Sequence, residues 1–221
     1  MRVMGVDGAP RGWVGALWDG QTVSLRYRTT LTELFADAGT PAVVGVDMPL
    51  GLVETGARRA ERSAREFLGA RRSSVFLSPV RAVLERGDFV DYAGANALAR
   101  ELSGAGLSRQ SFGLLPKIDE VIRWRADVAA DVREVHPECS FQVLAGHALA
   151  ASKKTWIGAA ERRELLAGAG LVPPKQPDTG PAAVDDVLDA MAAAWTAMRI
   201  ATGAARSFPA DPDPDEIAIW A

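Results

Sequence analysis

The chain has 221 residues, of which 48% are hydrophobic and 24% charged, and a net charge of −3. That length suits one domain with a sizeable core, and that composition is of an ordinary globular protein, not a fibrous or disordered one. The mild negative charge gives no global signature of nucleic-acid binding, and the single cysteine, Cys139, excludes an internal disulfide.

Met1 to Asp7 has no long apolar run and meets charge at once, so no signal peptide is expected. No later stretch reaches the roughly 18 apolar residues of a membrane span, and a cytoplasmic location without membrane contact is expected. Val3 to Asp7 alternates and reads as a strand. Gly12 to Trp18 is apolar, Asp19-Gly20 signals a hairpin, and Val23 to Arg28 is the returning strand. Thr30 to Glu33 has the form of a capping box and opens a short helix that stops near Gly39. Ala42 to Asp47 is a continuous apolar run ending in an acid, the pattern of a strand buried on both faces.

A charged helix is predicted from Arg58 to Phe67 and a loop from Gly69 to Pro79. Helical patterns dominate from Arg81 to Ala130, with breaks near Gly87, Gly104 and Pro116. Val132 to His136 returns to strand character and ends at Pro137. Ala159 to Ala169 is helical, and Pro173 to Pro177 is a stiff linker. Pro181 suits the first turn of a last long helix, Ala182 to Ala201, and the acidic tail Asp211 to Glu216 is expected to be extended.

Acids stand at four places where sheet proteins bind ligands. Asp7 and Asp47 follow apolar strands, Glu138 lies just past one, and Asp185, Asp186 and Asp189 open the last helix. Each has a plain structural reading: Asp7-Gly8 suits a turn, and Asp185 and Asp186 suit the positive end of a helix dipole. Asp189 lies one turn further in and shares a helix face with Asp186. Ala190, Ala193 and Ala197 continue that face, and their small side chains let it lie close to a sheet. A carboxylate facing a sheet is costly unless paired or metal-bound. Grouped carboxylates repel, and a divalent cation converts that repulsion into binding. With one cysteine and two histidines, the usual zinc ligands are scarce, so the cation is hard and oxygen-bound, Mg²⁺ or Mn²⁺. Two such ions about 4 Å apart activate water and stabilise a leaving oxygen in phosphodiester hydrolysis.

The segments Gly5-Val6-Asp7-Gly8-Ala9, Val44-Gly45-Val46-Asp47-Met48-Pro49-Leu50-Gly51 and Asp185-Asp186-Val187-Leu188-Asp189-Ala190 resemble the ribonuclease-H-like superfamily. The last is similar to the closing helix of bacterial Holliday-junction resolvases. With Gly69 to Phe76, Glu134 to Glu138 and Lys154-Thr155, the chain resembles most closely domain of unknown function 429, a family of predicted ribonuclease-H-like nucleases. The resemblance implies an α/β ribonuclease-H-like fold: a mixed five-stranded sheet, its first three strands antiparallel and the rest parallel, flanked by helices. It also implies one domain over residues 1–221, with a mostly helical insertion at about 54–130 and the acidic tail at 210–221. By that resemblance Asp7 is the central metal ligand, Asp47 the second acid, and Asp186 with Asp189 the helical pair. Glu138 is placed beside them as a further catalytic acid. Glu134 shares a strand face with His136, and reads equally as a strand-edge charge.

From residue 58 to 86, eight arginines face three glutamates, a net of +5. The segment is either a solvated face or a phosphate-contacting edge. Arg71, Ser73 and Ser74 are the preferred donors, with Gln110, Lys117 and Lys154 as further substrate-binding candidates and Lys153 a weaker one. The six tryptophans are scattered and read mostly as core or half-buried anchors. His136 reads as a strand-end hydrogen-bonding residue, and Cys139 as core filling. The leading expectation is a metal-dependent nuclease acting on DNA or RNA, with a homodimer as its possible assembly by resemblance to junction-cutting relatives. The alternatives are an actin-like nucleotide phosphotransferase or hydrolase, which normally needs a duplicated fold, and a catalytically inactive scaffold that binds nucleic acid or protein.

Overall fold

The computed structural model describes residues 1–221. Three antiparallel strands open the chain, β1 (Val3–Ala9), β2 (Gly12–Trp18) and β3 (Val23–Arg28). Helix α1 (Leu31–Ala38) follows, its capping box closed by the Thr30 hydroxyl and the Glu33 carboxylate. Strand β4 (Val43–Val46) then lies parallel to β1. The chain next leaves the sheet for α2 (Arg59–Leu68), a 3-10 turn (Gly69–Ser74), α3 (Arg81–Glu85), α4 (Tyr92–Ser103), α5 (Arg109–Gly113) and α6 (Leu115–Asp127). It returns as β5 (Asp131–Val135), parallel to β4. Helices α7 (Pro137–Ala145), α8 (Trp156–Gly168) and α9 (Val184–Ala201) and two short strands, β6 (Ser207–Phe208) and β7 (Ile219–Trp220), complete the fold.

The sheet order is β3-β2-β1-β4-β5-β7-β6. Its first five strands form the expected mixed sheet, three antiparallel and then parallel, with helices on both faces. The sheet has seven strands where five were expected. The acidic tail is not simply extended: Glu216 N–H closes a turn on Asp213 O, and the apolar end of the chain then adds β7 beside β5. The expected break near Pro116 falls at Leu114, between α5 and α6. Pro116 sits in the first turn of α6, where its missing N–H costs nothing, and Pro137 likewise opens α7, a helix that strand periodicity did not reveal. The loop predicted from Gly69 is partly the 3-10 turn. No helix is long and apolar enough to cross a membrane.

One face of the sheet packs Met4, Val6, Trp13, Val44 and Val46 against α1 and α6. The other packs Val3, Val14, Ala16 and Val43 against α9, with α7 and α8 beside it. Helix α9 lies unusually close. Gly5 and Gly45 are register partners on β1 and β4, and a Cβ on Gly5 would overlap the backbone of Ala190 and Ala194. A Cβ on Gly45 would stand 2.7 Å from the Ala193 carbonyl. The alanines Ala190, Ala193, Ala194 and Ala197, each 0% exposed, complete this close contact from the helix side.

Gly5→Ala is therefore expected to cost roughly 3 kcal/mol or more, because helix and strand backbones must separate to admit one methyl group. That is a fall in melting temperature of about 10 °C for a domain of this size. An unchanged thermal melt by circular dichroism would show that α9 is held less tightly than this.

Candidate metal centre

Strand alternation puts Val3, Gly5 and Asp7 on the α9 face of β1, and Val43, Gly45 and Asp47 on the same face of the neighbouring β4. Asp47 N–H donates to Val6 O at 2.9 Å, so the register continues past the end of β4 and brings Asp47 beside Asp7. Helix α9 runs over both strands with Asp189 immediately before its alanine stripe. Asp7, Asp47 and Asp189 thus each offer a carboxylate oxygen, and these three atoms lie within 4.8 Å of one another. An ion bonded at about 2.1 Å sets opposite ligand oxygens about 4.2 Å apart, so small side-chain adjustments close the cage.

The electrostatics of this group disfavour three ionised carboxylates at once. Burial, then the nearby charges of Asp47 and Asp189, hold the Asp7 carboxyl well above its ordinary range. Burial raises Asp47 and Asp189 to about 7 each, against the lowering influence of Lys153. Asp189 is fully buried; its Oδ2 accepts from Lys153 Nζ, while its Oδ1 has no hydrogen-bond partner. A buried acceptor without a donor is one that a bound cation could take up. The donor set, three carboxylate oxygens with no thiolate or imidazole among them, is what Mg²⁺ or Mn²⁺ takes.

Lys153 is the residue sequence reading undervalued. Burial lowers its pKa, but Asp189, Asp47 and Asp7 outweigh burial and hold the ammonium charged. It is delivered by the loop between α7 and α8. That loop is pinned by Arg162, which is 0% exposed and donates to Ala151 O at 3.2 Å and to Glu138 Oε1 at 2.7 Å.

Around the triad lies a cleft of about 420 Å³ whose walls include Arg71, Ser73, Ser74, Gln110, Lys117, Lys154 and Asp186, all candidates from sequence. Asp186 lies outside the triad. One of its oxygens caps α9 by accepting from Ala183 N–H at 3.0 Å, and burial raises its pKa. Glu138 lines the cleft too, but both its oxygens are taken, one by Arg162 and the other by Arg71 Nη2 at 3.2 Å. Both oxygens of Glu138 and one nitrogen of Arg71 are thus engaged in ion pairs, at the two positions the sequence suggested as a further catalytic acid and a phosphate donor. Lys117 Nζ sits 4.2 Å from the centre of the Trp13 ring and donates to Gly12 O; burial lowers its pKa. His136 Nε2 stands 3.3 Å from Ser74 O, burial lowers its pKa, and its Nδ1 has no partner.

Much of the arginine-rich segment is likewise paired, although Arg62, Arg65 and Arg72 meet no acid. Arg58 is buried against Glu134 and Glu61, Arg59 meets Asp213 and Glu216 of the tail, and Arg81 and Arg86 pair with Glu54 and Asp91. Glu134 is accordingly a buried structural partner, which also accepts from Leu50 N–H at 2.9 Å, and not a strand-edge charge.

The family described as "Protein of unknown function (DUF429)" matches residues 5–214. The chain belongs to this family. The match takes in all three triad carboxylates of this DUF429 protein and every residue of the cleft. No curated protein is significantly similar to it in sequence. A solved structure, "Thermus thermophilus RuvC structure", aligns over 92% of the DUF429 chain and 98% of its own, at 15% identity and a TM-score of 0.39. At that overlap the likeness carries no information about the chemistry of the cleft.

Proposed function

We propose that this DUF429 protein is a divalent-cation-dependent nuclease that hydrolyses phosphodiester bonds of nucleic acid in the cleft over Asp7, Asp47 and Asp189. The observation that carries this reading is the convergence of three acids from β1, β4 and α9, one of them with a buried, unpartnered oxygen. Asp7, Asp47 and Asp189 would hold Mg²⁺ or Mn²⁺, which when bound supplies charge stabilisation to a phosphoryl oxygen and a more acidic water. The residues of the chain do the rest. Lys117 and Lys154 stand on the cleft walls where phosphate oxygens would approach, and Ser73 and Gln110 offer neutral donors. Asp186, half-buried at the rim with a raised pKa, takes up a proton from the attacking water.

One observation favours a second reading, a scaffold that needs no metal: Lys153 already neutralises part of the cluster. The two readings separate in a thermal melt with millimolar Mn²⁺, because a ligand that binds only the folded chain must stabilise it. Nuclease assays on single-stranded, double-stranded and branched DNA and on RNA, with Mg²⁺, Mn²⁺ or chelator, then test the reaction. Neither a shift in melting temperature nor metal-dependent cleavage of any substrate would leave the scaffold reading standing.

The metal site also predicts a pH dependence. Asp47 and Asp189 have folded-state pKa values of about 7, above their unfolded values, so the folded chain binds more protons between about pH 4 and 7. Metal-free stability therefore falls as pH rises through that window. Protons and metal compete for the same oxygens, so apparent Mn²⁺ affinity is expected to rise at least ~10-fold from pH 6 to pH 8. Calorimetric titration at the two values checks it; equal affinities would mean these carboxylates are not the ligands.

A further inference from the structure

Of the six tryptophans, Trp13, Trp18, Trp124 and Trp195 are buried, Trp220 is half-buried, and Trp156 is 87% exposed. Trp156 is the first residue of α8, set there by the Thr155 side chain, which accepts from Gly158 N–H at 3.1 Å. It lines a second cavity of about 510 Å³ together with Lys154, Arg163 and Val184, the last 61% exposed. This cavity is not separate from the carboxylate cleft: Lys153, Lys154 and Asp185 line both.

An exposed indole beside Lys153, Lys154 and Arg163, which outnumber Glu164 and Asp185 in the same lining, and opening onto the carboxylate cleft, suits a ligand that carries both a flat ring and phosphate. The indole offers a flat apolar face to a nucleobase, while Lys154 and Arg163 offer charge to the phosphates on either side of it. A base inside a duplex already has both faces stacked, so such a platform selects a base that is unpaired or splayed out. We propose that Trp156, with Lys154 and Arg163, forms a stacking subsite for an unpaired nucleotide next to the scissile bond, so that the substrate is single-stranded or locally opened nucleic acid. The subsite rests on the nuclease reading for the identity of its ligand, but its existence does not depend on the metal.

The test is a fluorescence titration of the full chain in chelator at low ionic strength, where no cleavage occurs. The probes are oligothymidylate and oligouridylate of roughly ten nucleotides, with a blunt duplex of the same length as the comparison. Quenching is expected with the single strands and not with the duplex. Trp156→Phe should lose the quenching but keep most of the affinity, since a phenyl ring still stacks. Trp156→Ala should bind about tenfold or more weakly, with an unchanged thermal melt because the side chain is on the surface. The proposal is overturned if Trp156→Ala binds as tightly as the parent or if duplex quenches equally. It is overturned as well if no probe quenches, or if light scattering shows a dimer that dissociates in Trp156→Ala, which would make the indole a contact between copies. Because these readings are made without metal, their failure leaves Mn²⁺ binding and cleavage to be judged separately. Failure of those in turn leaves the stacking result intact.

Discussion

Asp7→Asn is expected to abolish metal-dependent cleavage while making the metal-free protein more stable, and the opposite signs are the point of the experiment. In the folded chain Asp7 is 8% exposed, and burial with the charges of Asp47 and Asp189 strongly disfavours its ionised form. An asparagine of the same shape keeps an oxygen for Gly8 N–H, which donates to Asp7 Oδ1 at 2.7 Å, and removes the charge. The melting temperature in chelator should then rise by a few degrees. The same change removes a ligand charge from the centre of the triad. Loss of several kcal/mol of charge stabilisation corresponds to a fall in kcat/KM of roughly three orders of magnitude or more. The shift in melting temperature on adding Mn²⁺ should vanish as well. An acid kept for structure behaves in reverse: its removal lowers stability. If Asp7→Asn melts lower than the parent in chelator and still responds to Mn²⁺, the triad is not a metal site.

Lys153→Met gives the complementary result. The lysine ammonium is the cation nearest the triad, paired with Asp189 and attracted also by Asp47 and Asp7. Removing one partner of a buried pair leaves the other uncompensated, at a cost of about 3–5 kcal/mol when burial is complete. Lys153 is 31% exposed at its side chain and the carboxylates can take up protons, so about 2 kcal/mol is the reasonable expectation at pH 8. For this chain length that is a fall of roughly 5 °C in chelator. Mn²⁺ no longer has to displace an ammonium, so its affinity should rise about tenfold or more, and the metal-induced gain in melting temperature should exceed that of the parent. Were metal affinity instead to fall in Lys153→Met, the lysine would be supporting the site and not competing for it.

Much of the centre was legible in the chain. Gly5-Val6-Asp7 and Gly45-Val46-Asp47 carry the same glycine-to-acid spacing on two apolar strands, and Asp189 is followed by an alanine stripe. Those small residues and acids imply a helix laid against a sheet with carboxylates at one end, because period two and period three to four each leave them on a single face. The order of strands, the capped first helix and the last long helix were readable for the same reason: local periodicity and turn chemistry determine them.

What tertiary structure alone decided was which charges are free. Glu138, Glu134, Arg58 and Arg71 look like site residues in sequence. They neutralise one another or a neighbour across 67 or 76 positions of chain, and no local pattern records such a pairing. Lys153 enters the triad from a loop without periodicity, and Trp156 stays outside a core that takes in most of the other tryptophans. A side chain's type and spacing determine which face it occupies, whereas its function here depends on what stands opposite that face, and only folding brings the two together.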